Sequence, residues 1–341
     1  MKRPAIAALF LFCLIQPRVC GQEAAKSPTE VVAIAVKAAE ALIATLDKPR
    51  QEKLSFAFTD DEQRKRWSNL PSGIFPRRGL RMGDLNEAQK KAVFGLLQST
   101  LSERGFEQVV ENMEGDETLK GQGRGRPAFG KAEYFISILG KPSTAEPWMW
   151  QFGGHHLGIN ATFVGDRITL APSLTGGQPA SYTLNGKSVR QLGREEDLAF
   201  SLIGSLTPDQ LKQAVLDDHH DNLKFGPGKE NAKPKDEGIK ASSLDEKQQK
   251  LLLELIGERV GILNDTHARP MMQTIAKDLD RTWFSWHGPT KKGEAACFRI
   301  QGPTIVIEFA PQHMGGDATQ HTHAMYRDPT NDYGKGFLKK N

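Results

Sequence analysis

Residues 148–160 of the chain read WMWQFGGHHLGIN. Tryptophans alternate at positions 148 and 150, which is the period of a strand that buries one of its faces. Two glycines follow, and residues without a side chain allow a bulge or the close approach of another backbone. We expect a strand that leads through Gly153-Gly154 to His155-His156, which are two of the nine histidines in the chain.

Helical and strand patterns on either side of this stretch occur twice. Residues 85–89 (LNEAQ) open an amphipathic helix, and residues 244–248 (LDEKQ) open another with the same kind of start. The strand phrases that return are residues 137–142 as 285–289 and residues 165–172 as 304–311. The predicted fold class is therefore α+β: a duplicated helix-then-antiparallel-strand module, with the two repeats packed together.

Four segments follow from this pattern. They are a signal peptide at 1–21, an N-terminal α+β repeat at 22–223 with the His155-His156 segment, a connector at 224–240, and a C-terminal α+β repeat at 241–341 with a His321-x-His323 tail. The connector has two prolines, three glycines and many charges, which is the composition of a solvated linker.

The first 21 residues have the pattern of a secretory signal. A basic head precedes an apolar run that is too short to span a bilayer, and small residues stand at the cleavage positions. We expect cleavage near Gly21, a secreted or periplasmic protein, and no membrane span in the mature chain. The alternative, a lipid-anchored Cys20, needs small residues before the cysteine, where this chain has Arg18 and Val19.

The charge balance argues against a nucleic-acid partner. The full sequence has 45 basic and 41 acidic side chains, and Lys2, Arg3 and Arg18 leave with the predicted signal. The mature chain is then nearly neutral. A strongly basic surface is the usual footprint of nucleic-acid binding, and we expect none here.

Several phrases of the sequence carry a family resemblance. They are residues 66–71 (RWSNLP), 101–106 (LSERGF), 140–143 (GKPS), 148–157 (WMWQFGGHHL), 321–329 (HTHAMYRDP) and 332–334 (DYG). In combination they resemble the secreted proteins of domain-of-unknown-function family 3500, over about residues 30 to 335. One departure is Leu70, where the family would have a smaller or polar residue. The resemblance implies no particular activity.

Four histidines form the predicted metal site: His155, His156, His321 and His323. Residues two apart in a strand face the same side, so an extended tail would direct His321 and His323 into one site. His155 and His156 are adjacent and would face opposite sides, so one of them is expected to join unless the glycines bulge and re-aim both. Imidazole ligands suit a divalent transition metal, with zinc or copper first and iron as a further candidate.

The two histidine segments have no counterparts in the predicted repeat. Residues that break an internal symmetry are where an added function is expected, since the symmetric parts already account for the scaffold. We therefore predict that the tail after Pro311 crosses to the first repeat and brings His321 and His323 beside His155-His156. The alternative is structural: His155 would satisfy a buried backbone group, and the tail histidines would lie on a solvated surface.

Glu308 and Arg327 are the candidate catalytic residues. Glu308 interrupts an apolar strand, so an inward-facing carboxylate would need Arg299, a metal or a substrate as its partner. If Ile305 and Ile307 face the core, however, Glu308 faces the other side of the sheet. Arg327 is also a group that can anchor the tail.

The favoured function is a secreted metal-binding protein, a metal-dependent enzyme of hydrolytic or oxidative type, with a small molecule or glycan as its substrate. The chain has no Gly-x-Ser-x-Gly elbow, phosphate-binding glycine loop or His-Glu-x-x-His helix, so the usual motifs name no reaction. The alternative is a metal-free ligand-binding module with a cleft lined by histidines and by Trp148, Trp150, Trp283 and Trp286. A third class, a surface-assembly protein, predicts extended self-association.

Overall fold

A computed structural model of the protein describes residues 26–120, 128–217, 222–230, 232–313 and 316–339. The predicted signal peptide at 1–21 lies outside these ranges, and its assignment stays a prediction. Among the described residues, no helix combines the length and the apolar character needed to cross a membrane.

Ten α-helices lie within the described ranges, and the two that begin after Asn86 and Asp245 start where the sequence predicts. Ser27, Asn86, Thr207 and Asp245 each cap a helix with a reciprocal side-chain and backbone pair, the capping box. The helices are α1 (Pro28–Ala44), α2 (Lys48–Leu54), α3 (Asp61–Arg64), α4 (Glu87–Thr100), α5 (Glu103–Glu117), α6 (Gly193–Ser205), α7 (Pro208–Ala214), α8 (Glu246–Val260), α9 (Asp265–Lys277) and α10 (Lys335–Leu338).

Fourteen strands accompany the helices in the same ranges. They are β1 (Ser55–Phe56), β2 (Leu80–Arg81), β3 (Phe135–Leu139), β4 (Trp148–Gly154), β5 (Leu157–Val164), β6 (Arg167–Thr169), β7 (Ser173–Gly177), β8 (Ser181–Leu184), β9 (Lys187–Arg190), β10 (Ile239–Lys240), β11 (Trp283–His287), β12 (Cys297–Gly302), β13 (Ile305–Pro311) and β14 (Thr322–Arg327). Twelve of them form one sheet in the order β1-β3-β4-β5-β7-β14-β13-β12-β11-β10, with β2 beside β3 and β6 beside β5. Strands β8 and β9 form a separate hairpin.

One face of the sheet packs against the helices and holds the main core. Trp148, Trp150 and Phe152 alternate along β4 onto this face, and Trp148 stacks on Phe163 with ring centroids 4.2 Å apart. Tyr326 of β14 belongs to the same apolar cluster. A single core therefore runs through both predicted repeats, and the burial of its large aromatic side chains contributes to stability.

The opposite face is covered by loops. Trp67 and Tyr333 come from two distant loops and pack over Met149, Leu174 and Met325 of the sheet. The indole Nε1 of Trp67 donates a hydrogen bond to the phenol oxygen of Tyr333 at 2.8 Å. These contacts fix the loop before residue 80 and the C-terminal tail against the same strands, and the histidines lie beside them.

The α+β class is confirmed, whereas the duplication is not. The two helix starts at Asn86 and Asp245 do have the same capping geometry. However, residues 165–172 contain the short β6 at the side of β5, whereas residues 304–311 form β13 between β12 and β14. These two similar phrases thus occupy different places in the sheet, whereas 137–142 and 285–289 contribute to β3 and β11, each beside a short edge strand.

The segment predicted as a solvated connector, 224–240, is partly built into the fold. Phe225 is buried, and Ile239 is buried within β10, where it pairs with Phe284 of β11. Short apolar residues between charges gave too weak a signal to predict this pairing. The connector therefore closes one edge of the sheet and also lies over the loop-covered face.

Candidate metal centre

The turn between β4 and β5 presents the first two histidines. Gly154 pairs with Leu157, so His155-His156 is a two-residue hairpin tip. His156 has a φ of 58°, the left-handed region that residues with a side chain adopt at a cost of about 1–2 kcal/mol. Its N–H donates to the carbonyl of Asn69 at 3.0 Å. Strain of this kind is typical of positions that serve a site.

Strand β14 and the residue just before it bring the other two histidines, His323 from the strand and His321 from the preceding position. The strand lies between β13 and β7, and His323 pairs with Ala310 on one side and with Gly176 on the other. A Cβ atom at Gly176 would lie 3.0 Å from the His323 ring and 3.2 Å from the Cβ of His156. Glycine at this position therefore lets the two histidines approach each other, and the predicted crossing of the tail to the first half is confirmed.

Three of the four predicted histidines share one centre: His156, His321 and His323. Their candidate ligand atoms all lie within 4.8 Å of one another, and all three side chains are buried. The Nε2 atoms of His156 and His321 are 2.9 Å apart. Two nitrogens bound to one zinc at the tetrahedral angle would be about 3.3 Å apart, so small rotations of the rings would suffice to share an ion.

His155 lies beside this centre and is bonded elsewhere. Its ring stacks on His156 with centroids 3.7 Å apart, while its Nδ1 lies 2.7 Å from Oδ1 of Asp116 on α5. The other oxygen of Asp116 accepts a hydrogen bond from the N–H of Gly130. The expectation that only one of two adjacent histidines joins the site agrees with this arrangement, in which Asp116 orients the second ring.

Burial keeps two of the three clustered imidazoles neutral. It lowers the pKa of His156 well below 6.5, and the nearby rings of His155, His323 and His321 lower it further. Burial, followed by the influence of His321 and His155, lowers the pKa of His323 to about 3. Neutral imidazole is the form that binds metals, because a ring nitrogen keeps its lone pair.

The histidines line the floor of an open cleft of about 500 Å³. His155, His156 and His321 contribute to its lining, so two of the three clustered histidines border the cleft, whereas His323 is fully buried behind them. The rim carries exposed apolar side chains, with Leu70 39% and Ile74 57% accessible. Further lining residues include Phe129, Gln178, Asn222, Leu223, Pro227 and Lys229.

Two residues at this site were missed by the sequence reasoning. Asn69 places its Nδ2 3.3 Å from Nε2 of His323, and Asp116 contacts His155. Asn69 stands in the phrase RWSNLP, which carried the family resemblance, but nothing in that phrase indicates a partner so far along the chain. Asp116 lies in α5 among other acidic residues, and its burial was not visible in the sequence.

The structure places Glu308 and Arg327 outside the cleft lining. Glu308 accepts the backbone N–H groups of Lys224 and Phe225 at 3.3 and 2.8 Å, and burial raises its pKa. Arg327 donates to the carbonyls of Phe225 and Gly226 at 2.8 and 3.0 Å. Both side chains hold the segment that forms one wall of the cleft, and their catalytic assignment stays a prediction.

None of the four tryptophans expected to line the cleft does so, and three of them lie in the core. Trp148 and Trp150 are fully buried under the helices, and Trp286 is buried against Phe200. Trp283 is partly buried and lies under the ammonium group of Lys240. Alternation along β4 and β11 directs Trp148, Trp150 and Trp286 to the helix-covered face, whereas Trp283 has the opposite parity on β11 and does not line the histidine cleft.

These features define an α+β protein with a buried three-histidine cluster below an open cleft. The model of one family, described as Protein of unknown function (DUF3500), matches residues 28–335. The chain belongs to this family, as the sequence phrases predicted. The comparison with curated proteins and the comparison with solved structures each give no significant match.

Proposed function

We propose that this protein binds a divalent transition metal on His156, His321 and His323 and acts as a metal-dependent enzyme outside the cytoplasm. The observation that carries the proposal is the convergence of three buried, mutually close imidazoles from two distant segments. Three histidines with an open position are a ligand set of catalytic zinc, and copper and iron accept the same donors. Secretion rests on the signal-like residues 1–21.

The surroundings of the triad favour a catalytic metal site over a structural one. A structural zinc site is closed by four protein ligands, whereas this triad faces a cleft large enough for a small molecule. A metal held there would act as a Lewis acid or, if redox-active, would exchange electrons with a substrate. The apolar rim at Leu70 and Ile74 favours a small organic molecule, a short glycan included, that has an apolar face.

Metal analysis of the full chain tests this proposal. We expect about one equivalent of metal after loading and dialysis, and loss of that metal in His321→Ala and His323→Ala. His267→Ala is the matched control, because His267 is buried elsewhere and is held by Asn264 and by the carbonyl of Asp166. Equal metal content in all variants, or none in the parent protein, would refute the proposal.

A metal-free binding function is the second candidate. The 2.9 Å contact between the Nε2 atoms of His156 and His321 favours it, because a neutral imidazole can donate a hydrogen bond to another without any ion. A thermal-shift screen with sugars and organic acids, run with a chelator, distinguishes the two functions. Stabilisation that survives chelation supports binding without metal, and stabilisation that chelation removes supports the metal site.

A further inference from the structure

A second cavity lies on the opposite side of the sheet from the histidine triad. It has a volume of about 350 Å³ and lies between β6, β14 and α9. Tyr326 lines it, and this residue belongs to the helix-side core, whereas its strand neighbour Met325 packs on the loop-covered face. The volume is within the range of small-molecule sites, about 300–1,000 Å³.

The walls of this cavity are largely apolar. Ile168 and Ile275 are buried side chains of β6 and α9, and Met271 and Phe337 close the sides. The Phe337 ring lies under the guanidinium group of Arg167 at 4.7 Å. An apolar, partly enclosed space of this kind holds water poorly, so an apolar ligand gains free energy by entering it.

One polar group in the wall lacks a protein partner. Tyr326 is 2% accessible, and its hydroxyl has no hydrogen-bond partner among the residues that the structure describes. Other polar side chains of the wall are already bonded, His267 to the carbonyl of Asp166 and Thr274 to that of Pro270. A buried hydroxyl without a partner costs about 1–3 kcal/mol, so a ligand oxygen beside it would recover free energy.

Charge around the hydroxyl limits the chemistry of that ligand. Burial raises the pKa of Tyr326 well above 10, and the carboxyl groups of Asp328 and Asp332 raise it further, so the phenol stays a hydrogen-bond donor. The carboxyl group of Asp328 also lines the cavity and would repel an anion that approached the hydroxyl, whereas Asp332 is paired with Arg327. A neutral oxygen, from an alcohol or a carbonyl, is the acceptor that this position favours.

We propose that this cavity is a second ligand site, distinct from the metal centre, for an uncharged molecule with an aliphatic or aromatic body and one hydroxyl or carbonyl oxygen. The body lies between Ile168, Met271 and Ile275, and the oxygen accepts the hydrogen bond of Tyr326. The site does not depend on metal, because its residues lie across the sheet from the triad.

The test is calorimetric titration of the full chain with 1-octanol and with octanoate, in the presence of a chelator. We expect saturable binding of one octanol, and binding of octanoate at least about tenfold weaker, because the carboxylate meets like charge. Tyr326→Phe keeps the ring and removes the donor, and it should weaken octanol binding about three- to tenfold. No saturable octanol binding would overturn the proposal.

Cavity-blocking variants locate the bound octanol. Met271→Trp should abolish binding, whereas Met272→Trp, a neighbour on α9 that does not line the cavity, should leave it unchanged. If Met271→Trp does not fold, Thr274→Trp at the exposed mouth serves the same purpose. Octanol binding that persists in a folded blocked variant, or that is equal in Tyr326→Phe, contradicts the site. His321→Ala should bind octanol normally, so this result is independent of the metal proposal.

Discussion

Two hairpin turns of the same sheet have the same length but are built from different residues. The tip between β4 and β5 is His155-His156, and that between β12 and β13 is Pro303-Thr304, each closed by a strand pair that includes a glycine. The histidines are 5% and 3% accessible, and His156 has a left-handed backbone, whereas Pro303 and Thr304 are partly exposed. A two-residue turn in this sheet therefore does not require buried histidines, and their burial needs another explanation.

The largest expected difference in stability between variants of the two tips comes from the hydrogen bonds that α5 makes to the histidine tip. Asn112 on α5 donates to the carbonyls of His156 and Gly176, and its side-chain oxygen accepts the hydroxyl of Tyr134 at 2.9 Å. Asn112→Leu removes the hydrogen bonds to both buried carbonyls, whereas the hydroxyl of Tyr134 keeps the carbonyl of His155 as a partner at 2.9 Å. We expect the free energy of unfolding, measured by urea titration, to fall by about 2–4 kcal/mol.

The matched control for Asn112 is at the second tip. Thr304→Ala removes a partly exposed side chain and should change the free energy of unfolding by less than about 0.5 kcal/mol. Equal losses in the two variants would mean that the histidine tip has no special support from α5.

The second expected difference is that stability near the first tip depends on pH, because of His323 beside it. Its pKa is about 3 in the folded protein, where burial comes first and His321 and His155 add to the effect. Between about pH 6.5 and 3 the unfolded chain binds a proton that the folded chain does not, so stability falls as pH falls. In metal-free protein we expect a loss of about 2 kcal/mol from pH 6.5 to pH 5.

His323→Gln tests the origin of that loss. Glutamine does not titrate, so the slope of unfolding free energy against pH should become shallower by about 1.4 kcal/mol per pH unit in this window. An unchanged slope would show that other groups cause the acid sensitivity.

The smallest effect concerns the backbone of the two tips. At His156, where φ is 58°, the Gly variant should be more stable than the Ala variant by about 1 kcal/mol, because glycine adopts this region without strain. Thr304 is not among the residues of the described chain that have a positive φ. At this position the Ala variant should therefore be more stable than the Gly variant. Urea titrations of the four variants with a chelator measure the difference, and the same order at both tips would contradict the account.

The sequence predicted more of the histidine cluster than of its surroundings. The spacing of His321 and His323 indicated that both side chains lie on the same face of a strand. Gly153-Gly154 has no counterpart in the second half of the sequence, and this indicated the place that the two histidines would approach. Both inferences needed only strand periodicity and internal comparison. The choice of His156 over His155 depended on the turn conformation, which adjacent histidines do not reveal.

The surroundings depend on contacts between distant parts of the chain. Asn69 approaches His323 because the loop before residue 80 packs on the tail through Trp67 and Tyr333. Glu308 interrupts an apolar strand, and in the fold its carboxylate accepts backbone N–H groups of the segment that begins at Lys224. A polar residue in a strand shows that something covers it, but the sequence does not say what does.

X-ray absorption spectroscopy of the zinc-loaded full chain tests the central claim most directly. We expect three imidazole nitrogens at about 2.0–2.1 Å and at least one further light ligand, with loss of one imidazole in His321→Ala and of one in His323→Ala. His155→Ala should keep all three, because His155 is bonded to Asp116 instead. A zinc coordinated by one histidine or none, or a spectrum that is identical in the parent chain and in both triad variants, would contradict a metal centre at this place.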